Sequence, residues 1–562
     1  MSDAGQSIRS EMRELIAGAI ARAMGSGALP TIGDDDRPEI EVSHAANPEH
    51  GDVTTNLALR LARPLRRSPI DIATAIADEL GEIGPHVSDD RLASVEVAPP
   101  GFINMRLGDG YLERSLDAAR ALGASYGQLA AHRVRHIDIE FVSANPTGPL
   151  TVGNARGAFV GDLLSRLLEA AGNEVTREYY FNDTNRQVSL LGSSIAARRA
   201  GKPVPEDGYH GAYVADLANE MPEEVWEAAS REDEERDTSL GRWAATRIRA
   251  GIEASLRELG VRFDVWKTEG SLYAEGWVER AIQRLRSGGH LFEQDGALWF
   301  CSTAFGDDKD RVVIRANGTP TYFAADIGYV AEKFSRGFDE LIYVWGADHH
   351  GTVARNRNAA EAMGFDREAV QMLLYAWVHF VRDGADASMS KRAGEFISLD
   401  ELLAEVGTDA ARWYFASRAT TTGIDFDIEA AKDQSAANPV HYVRYAHARI
   451  SSILRKASEA GLSPHSSVAG TLAGDDISKR LCLAVLRLPE VVEDAASARE
   501  THGVTSYATE LATTFHAYYR DRRVLDAADR ETSARRLALV DATRQTIANT
   551  LGLLGISAPQ SM

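Results

Sequence analysis

The sequence predicts an α/β protein whose central domain is a doubly wound parallel sheet, preceded by a small α+β domain and followed by an all-helical domain. Three observations lead to this prediction. A buried strand at 136–142, a helix at 154–171 and a strand at 174–181 follow the order of a parallel β-α-β unit. Alternating strands within 94–107 follow helical stretches near the N-terminus. From about residue 430 onward, apolar residues recur with helical spacing.

Length and composition set the first limits on function. A chain of 562 residues is too long for a single hydrophobic core and indicates three or four domains. Its content of 44% hydrophobic and 25% charged residues is typical of a soluble globular protein. No run approaches the roughly eighteen consecutive apolar residues of a membrane span, and residues 1–13 lack the pattern of a secretory signal. Cys301 and Cys482 are far apart, which argues against disulfides and a cysteine-based zinc site and fits a reducing cytoplasm.

Periodicity and caps justify the N-terminal elements. Helices are predicted at 6–24, 56–66 and 69–80, and strands at 94–97 and 102–107. Ser68 and Pro69 suit the cap and the first turn of the third helix. We assign residues 1–125 to this α+β domain.

The parallel sheet is assigned to residues 126–395. A further sheet strand is predicted at 341–345, and residues 195–300 are predicted to be a helical insertion between the two halves of the sheet. Residues 396–430 form a connecting segment, and residues 431–562 form the helical domain. Its predicted helices lie at 438–460, 476–497, 503–524 and 531–554.

The first strand of the sheet runs into a loop rich in proline and glycine, Glu140-Phe-Val-Ser-Ala-Asn145-Pro-Thr-Gly-Pro-Leu-Thr151-Val-Gly153-Asn154, which opens a helix. Backbone N–H groups and the helix dipole at such a turn point at an anion, and Gly153 lets a ligand approach the main chain. The turn therefore suits a nucleotide phosphate. Such turns are common, and these residues alone leave an ordinary strand–helix connection equally open.

A second short element lies far downstream, Ser388-Met389-Ser390-Lys391-Arg392 followed by Ala393 and Gly394. The two elements together resemble the nucleotide-binding elements of class I aminoacyl-tRNA synthetases, and their surroundings resemble the arginyl-tRNA synthetase family. The fragments that carry this resemblance lie at 51–58, 100–104, 145–150, 174–180, 310–313, 318–327, 344–351, 407–412 and 438–449. The ordered set is far more specific than any one fragment.

The resemblance implies a Rossmann-like catalytic sheet, an N-terminal additional domain that contacts the tRNA core, and a helical anticodon-binding domain. It implies an arginine–tRNA ligase, which joins L-arginine to ATP as an adenylate and passes the arginyl group to the 3′-terminal ribose of tRNA(Arg). ATP with Mg²⁺ is the expected cofactor, and no structural metal is expected. The protein is expected to be a cytoplasmic monomer that binds tRNA before activation proceeds.

The resemblance also assigns site residues. They are, for arginine, Glu140, Ser143, Asn145, Tyr322 and Asp326; for ATP, Gly153, Asp348, His349, Met389 and Ser390; for catalysis, Thr151, Asn154 and Lys391; and, as candidates for tRNA, Phe102, Asn104, Tyr442, Tyr445 and Arg449. Carboxylates match the planar five-donor fork of a guanidinium, so Glu140 and Asp326 would select arginine. Tyr322 and Asp326, four positions apart, share one face if their segment is helical. Lys391 would stabilise the charge that builds up on pyrophosphate.

Each assignment has a structural alternative. Glu140 could pair with an internal arginine, and Asp326 could cap a helix. Asp348, His349 and His350 begin a helix after a sheet strand, where ribose or adenine is expected. Metal ligation by the histidine pair is the rival, although adjacent helical residues point about 100° apart. The aromatic residues of the C-terminal domain could equally lie in the bundle core, with arginines at its edge.

Three departures from the family pattern bear on activity. Thr151 and Asn154 stand where most members carry histidines, and loss of one transition-state donor typically costs about 100- to 1000-fold in rate. A hydroxyl and an amide are both donors, and some tryptophanyl members carry Thr-Ile-Gly-Asn, so we expect activity with less charge assistance. Ser388 replaces the first lysine of Lys-Met-Ser-Lys. Thr184-Asn185-Arg186 replaces Ala-Gly-Asn, where Asn185 tolerates the positive φ of a glycine.

Charge and domain content bear on the rival functions. The net charge of −21 argues against a protein that coats long DNA, whereas a folded tRNA needs only local basic patches. One rival is a paralogue that activates arginine for a non-tRNA acceptor, and the tRNA-facing domains argue against it. The other is a catalytically silent tRNA-binding relative. The retained site residues argue against that rival, namely Glu140, Asn145, Tyr322, Asp326 and Lys391.

Overall fold

The structure is a computed structural model that describes residues 7–33, 36–45, 47–81, 90–131, 133–183, 186–230, 235–347, 350–382, 385–386 and 398–562. Several residues singled out from the sequence lie outside these ranges. Outside the described residues lie Asp348, His349, Met389, Ser390, Lys391 and the Thr184-Asn185 departure.

The N-terminal domain is an antiparallel sheet covered by helices. Its elements are α1 (Ile8–Gly25), β1 (Ser43–His44), β2 (Val53–Thr55), α2 (Leu57–Leu65), α3 (Pro69–Gly81), β3 (Leu92–Ala98), β4 (Phe102–Leu107) and α4 (Asp109–Leu122). The strand order is β1-β2-β4-β3. Ile103 and Met105 of β4 are fully buried in one core with Ile72 and Ile76 of α3. The predicted α+β character of this region is confirmed.

The central domain is built on a five-stranded parallel sheet of order β12-β11-β5-β6-β7. Its elements are β5 (His136–Phe141), α5 (Val152–Ala170), β6 (Glu174–Phe181), α6 (Arg186–Arg199), α7 (Ala212–Glu220), α8 (Glu223–Ser230), α9 (Arg236–Glu258), β7 (Val265–Thr268), α10 (Glu269–Ala274), α11 (Trp277–Ser287), β8 (Leu291–Gln294), β9 (Ala297–Phe300), β10 (Arg311–Ile314), α12 (Tyr322–Ser335), β11 (Glu340–Gly346), α13 (His350–Ala362) and β12 (Val370–Tyr375).

The sheet is doubly wound about its middle strand, β5. Helix α5 covers one face so closely that a Cβ at Gly161 would lie 2.1 Å from the ring of Phe141. Helix α12 covers the other face, where the Lys333 ammonium lies 2.7 Å from Asp138 Oδ2. The strand order therefore reverses between β5 and β11, and in such sheets ligands bind in the crevice outside the carboxyl ends of these strands. The predicted doubly wound parallel sheet is confirmed.

The prediction that residues 195–300 are wholly helical is wrong. Strand β7 lies inside that range and forms the edge of the parallel sheet, paired with β6. Strands β8 and β9 also lie inside it and form an antiparallel sheet with β10. These strands are only four residues long. So short a run shows too little alternation to be separated from the helices around it.

A connecting unit joins the sheet to the C-terminal domain. Its elements are β13 (Val378–Arg382), β14 (Ala385–Asp386), α14 (Leu399–Val406), α15 (Thr408–Ala416), β15 (Ile424–Asp427) and α16 (Ile428–Lys432). Strand β13 pairs with β15 rather than with the five-stranded sheet. The unit therefore begins near residue 378, earlier than the predicted boundary at 396.

The C-terminal domain is a helical bundle, as predicted. Its elements are α17 (Pro439–Glu459), α18 (Asp476–Leu486), α19 (Leu488–Ala498), α20 (His502–Asp521) and α21 (Arg530–Leu553). The stretch predicted as one helix at 476–497 is two helices, because the chain bends at Arg487 and Pro489 occupies the first turn of α19. Among the helices that the structure describes, none is long and apolar enough to cross a membrane.

Candidate active site

The crevice opens where the loop after β5 leaves the sheet. Val142 and Ser143 have positive φ values of 67° and 42°. Neither is glycine, so this left-handed backbone costs on the order of 1–3 kcal/mol per residue. The turn directs the Ser143 hydroxyl back toward the sheet, where it donates to Glu140 Oε1 at 3.0 Å and accepts from the Tyr180 N–H at 3.2 Å. The strained turn thus couples the predicted substrate loop to two strands.

Glu140 lies on the α12 face of β5 and has an internal partner. Its Oε2 accepts from Lys333 Nζ at 2.9 Å, and the side chain is buried. Lys333 also pairs with Asp138, and the pKa of its ammonium is well above its usual range because these carboxylates outweigh the opposing effect of burial. The alternative of an internal cation is therefore present, supplied by a lysine rather than an arginine. Glu140 lies at the base of the crevice, and Lys333 neutralises its charge, so it is not a free carboxylate.

Asp326 is the carboxylate left open in the crevice. It is half-buried on α12, and among the described residues none donates a hydrogen bond to it or pairs with it. Burial raises the pKa of Asp326 to about 7, with a further contribution from Glu140 and Glu269 and an opposing one from Arg355. The negative charge of a carboxylate near other carboxylates is poorly stabilised, so a bound cation would stabilise the ionised form of Asp326.

Tyr322 stands at the rim of the crevice, one turn before Asp326. It begins α12, and 63% of its surface is exposed. The predicted helix over Tyr322 and Asp326 is confirmed, so both project from the same side of its first turns. The helix carries an exposed ring and an open carboxylate toward the same space.

Glu269 belongs to this cluster and was missed from the sequence. It begins α10 directly after β7, is buried, and accepts hydrogen bonds from the Tyr180 hydroxyl at 3.0 Å and from the Asn182 amide. Burial, with a contribution from Asp183, raises the pKa of Glu269. An acidic residue at the carboxyl end of a parallel strand is a recognisable signal, but the sequence predicts the segment of β7 to be part of a helical insertion.

Asn145 holds the loop to the next strand and helix. Its Oδ1 accepts from the Asn182 N–H at 3.2 Å, and its Nδ2 donates to Gln187 Oε1 at 2.8 Å. One amide hydrogen is left over at the crevice. Asn145 therefore positions the loop, and its remaining amide hydrogen can donate a hydrogen bond to a ligand.

Thr151 and Asn154 form the N-terminus of α5 and bond to each other. Asn154 Oδ1 accepts from the Thr151 N–H at 3.1 Å and from the Thr151 hydroxyl at 3.0 Å. The hydroxyl donor expected at Thr151 is thus used inside the turn. The Asn154 Nδ2 has no partner among the described residues, and it lies with Gly153 at the positive end of the helix dipole. In this arrangement one side-chain donor, not two, faces an anion.

Two of the three C-terminal candidates, Tyr445 and Arg449, line a basic cleft. Arg449 donates to the Tyr445 hydroxyl at 3.0 Å and lies 4.5 Å from the ring centroid of Tyr519. Tyr445 is 43% exposed, whereas Tyr442 is half-buried against His516. The cleft has a volume of about 940 Å³ between α17, α20 and the last residues of the chain. Its aromatic and cationic walls suit unstacked bases.

The two N-terminal candidates differ. Phe102 is 36% exposed at the start of β4 and presents a ring to solvent. Asn104 is only 7% exposed, and its Oδ1 accepts from the Thr54 hydroxyl at 2.8 Å. The amide oxygen of Asn104 therefore joins β2 and β4, and contact of this side chain with tRNA stays a prediction.

Known proteins resemble this chain over its whole length. Three family models match it, "Arginyl tRNA synthetase N terminal domain" at 10–107, "tRNA synthetases class I (R), catalytic domain" at 117–453 and "DALR anticodon binding domain" at 443–562. Arginine–tRNA ligases of Bacillus licheniformis and Moorella thermoacetica are 40% and 43% identical to it, over 99% of this chain and 100% of their own lengths. The structure of Thermus thermophilus arginyl-tRNA synthetase matches with a TM-score of 0.75 at 26% identity, covering 98% of this chain and 100% of that one.

These similarities agree with the fold. The catalytic family model spans the parallel sheet, and the anticodon-binding model spans the helical bundle with the basic cleft. Identity of 40% and 43% extends over 99% of the chain, so all three domains lie within the match. The chain therefore belongs to the arginyl-tRNA synthetase family.

Proposed function

We propose that this protein is an arginine–tRNA ligase that activates L-arginine with ATP and transfers it to tRNA(Arg) in protein synthesis. The observation that carries the proposal is the open carboxylate of Asp326, beside Glu269 and above the neutralised Glu140. A guanidinium has a fixed positive charge and a planar fork of donors, which such a pocket recognises and a neutral side chain does not. Family membership supplies the class of reaction.

In the first step, a carboxylate oxygen of arginine attacks the α-phosphorus of ATP. The bond to the bridging oxygen breaks, so arginyl-adenylate forms and pyrophosphate leaves. Asp326 and Tyr322 hold the side chain, and Asn145 fixes the loop next to the reacting carboxylate. The Asn154 amide and the N-terminus of α5 stabilise negative charge on the phosphates. From the sequence we assign Lys391 the charge that develops on pyrophosphate.

In the second step, a hydroxyl of the 3′-terminal ribose attacks the arginyl carbonyl. AMP leaves with the electron pair of the broken anhydride bond, and the hydroxyl proton is released. We assign tRNA recognition to Phe102 in the N-terminal domain, residues 1–125, and to Tyr445 and Arg449 in the C-terminal domain, residues 431–562. Exposure of both rings supports this assignment.

Mg²⁺ is proposed to arrive with ATP, since phosphate oxygens are its preferred ligands. Across the described ranges no three His, Cys, Asp or Glu side chains are grouped as metal ligands. That the enzyme needs no structural metal stays a prediction. We also propose that the protein acts as a cytoplasmic monomer.

One assay separates this function from its rivals. Pure protein is incubated with ATP, labelled arginine and total tRNA, and both charged tRNA and pyrophosphate are measured. Charged tRNA supports the proposal. Adenylate formation without charging would indicate a paralogue with another acceptor, and tRNA binding without turnover would indicate a silent relative.

A variant of the second nucleotide element tests the assigned roles. Lys391→Ala should reduce activation sharply while leaving tRNA affinity nearly unchanged, because a phosphate-directed cation acts on the transition state. Equal losses of activation and tRNA affinity would contradict the role given to Lys391.

A further inference from the structure

Arg156 is a fully buried arginine two residues after Asn154, and every hydrogen bond it makes to the described residues is to a backbone carbonyl. Its Nη1 donates to Ala376 O at 2.6 Å and to Trp377 O at 3.2 Å. Its Nη2 donates to the carbonyl oxygens of Ala419, Thr420 and Thr422 at 3.1, 3.0 and 2.7 Å. One guanidinium therefore joins α5 to two separate chain segments, the β12–β13 link and the loop at 419–422.

This arrangement is unusual for a buried charge. Among the residues that the structure describes, no carboxylate lies within 4.0 Å of Arg156, although buried charges are normally paired. Burial lowers the pKa of Arg156, and the charge of Glu500 opposes that effect. A lysine would keep the charge but could not reach both segments, because its donors radiate from a single nitrogen. The site therefore depends on the planar arrangement of guanidinium donors rather than on the positive charge.

The loop at 419–422 is held from its other side by the C-terminal domain. Glu500, just after α19, accepts from the Thr420 N–H at 3.0 Å and from the Thr420 hydroxyl at 3.2 Å. Its neighbours make further contacts: Arg499 pairs with Glu340 of β11, and Thr501 donates to Ala416 O of the connecting unit at 3.3 Å. Thr420 thus lies between Arg156 and Glu500 and bonds to both through its own backbone.

We propose that Arg156 is a positioning residue that sets the nucleotide-binding end of α5 against the C-terminal domain, through Thr420 and Glu500. The proposal rests on the proposed function, because it concerns the adenylation step. Arg156 and Asn154 lie two residues apart in the first turns of α5, so a shift of the Arg156 anchor moves the N-terminus of the helix. Arginine binding depends on α12, which has no part in this chain of contacts.

The first test is Arg156→Lys in the full-length enzyme, with saturating tRNA and ATP. The rate of arginyl-tRNA formation per active site should fall about ten- to 100-fold, as expected for a displaced reacting group. The KM for arginine should stay within about twofold, since its pocket is unchanged. Active sites are counted as the labelled tRNA bound per protein molecule at saturation. Arg199→Lys is the matched control, because Arg199 also donates to two backbone carbonyls but within the insertion.

The second test asks whether Glu500 acts through Arg156. Glu500→Ala should lower the rate per active site about three- to tenfold, and Glu500→Gln, which keeps an oxygen acceptor, should restore most of it. The double variant with Arg156→Lys should be no slower than Arg156→Lys alone, because both changes break one path. Glu510→Ala is the control, since Glu510 is exposed on α20 and, within the described ranges, its carboxylate pairs with Arg487 alone.

Amide hydrogen exchange gives a readout that does not require turnover. In Glu500→Ala, exchange should quicken at 419–422 and also at the first two turns of α5, relative to Glu510→Ala. Faster exchange at 419–422 alone would overturn the proposal. It would also be overturned by a lower count of active sites at an unchanged rate per site, or by fully multiplicative effects of the two changes. A wild-type protein that charges no tRNA would refute the proposed function, and the exchange result would still decide the coupling.

Discussion

The two faces of strand β5 have opposite chemistry, although their residues alternate along one short segment. Ile137, Ile139 and Phe141 are fully buried under α5, which carries the nucleotide end of the site. Asp138 and Glu140 are just as buried, but under α12, which carries Tyr322 and Asp326. The apolar face holds a helix in place by packing. The polar face instead compensates its charges internally, which leaves Asp326 as the open carboxylate for a cation.

The largest effect should come from removing the cation of the polar face. Lys333→Met leaves Asp138 and Glu140 buried without a counter-ion, which should cost about 3–5 kcal/mol of unfolding free energy. On the apolar face, Ile139→Val should cost only about 0.5–1.5 kcal/mol. Urea unfolding at neutral pH measures both. Equal losses would show that the two faces are stabilised in the same way.

The next effect should be on the nucleotide side. Asn154→Ala removes the free amide donor at the start of α5. It should lower kcat about 100- to 1000-fold, which corresponds to a rise of about 2.7–4 kcal/mol in the activation free energy. The KM for arginine should be unchanged, because the polar face is not touched. Steady-state charging measures both parameters.

Ser165→Ala serves as the matched control for Asn154→Ala. Ser165 is buried in the same helix but donates only to Gly161 O. A parallel rise in the KM for arginine in Asn154→Ala would show that nucleotide activation and arginine binding are not separated between the two faces of β5.

A smaller effect is expected on the arginine side. Asp326→Asn keeps the size of the side chain but removes its charge, which should cost about 1.5–3 kcal/mol in kcat/KM for arginine, mostly through KM. Ser335→Ala, at the other end of α12, should behave as the wild type. If Asp326→Asn instead lowered kcat at constant KM, Asp326 would act on the chemical step rather than on recognition.

The smallest effect is a pH dependence that belongs to the same carboxyl group. The pKa of Asp326 is about 7 in the free protein, so the ionised form predominates only above that pH. Arginine binds the ionised form, so kcat/KM should be level at higher pH and fall about tenfold for each unit below pH 7. A pH series of initial rates measures this, and the fall should disappear in Asp326→Asn. A fall that persists in the variant would belong to another group.

Much of the fold follows from local pattern. The strand predicted at 174–181 is β6, and the helix predicted at 154–171 is α5 within two residues. Long periodic segments carry enough repeats to be recognised. The four-residue strand β7 contains too few repeats to be predicted, so neither the edge of the sheet nor the position of Glu269 beside it could be predicted. The burial of Asn104 could not be predicted, because its motif does not record which side chain faces the core.

The sequence by itself determined the chemistry that this protein can perform. It placed a phosphate-binding turn after a strand, a carboxylate and an aromatic ring one turn apart, and a helical domain at the end of the chain. Tertiary structure alone decided which charges are free. Lys333 neutralises Glu140 across 193 positions, and Arg156 reaches Thr420 across 264. Charge compensation acts through space at a few ångströms, and distance along the chain carries no record of it.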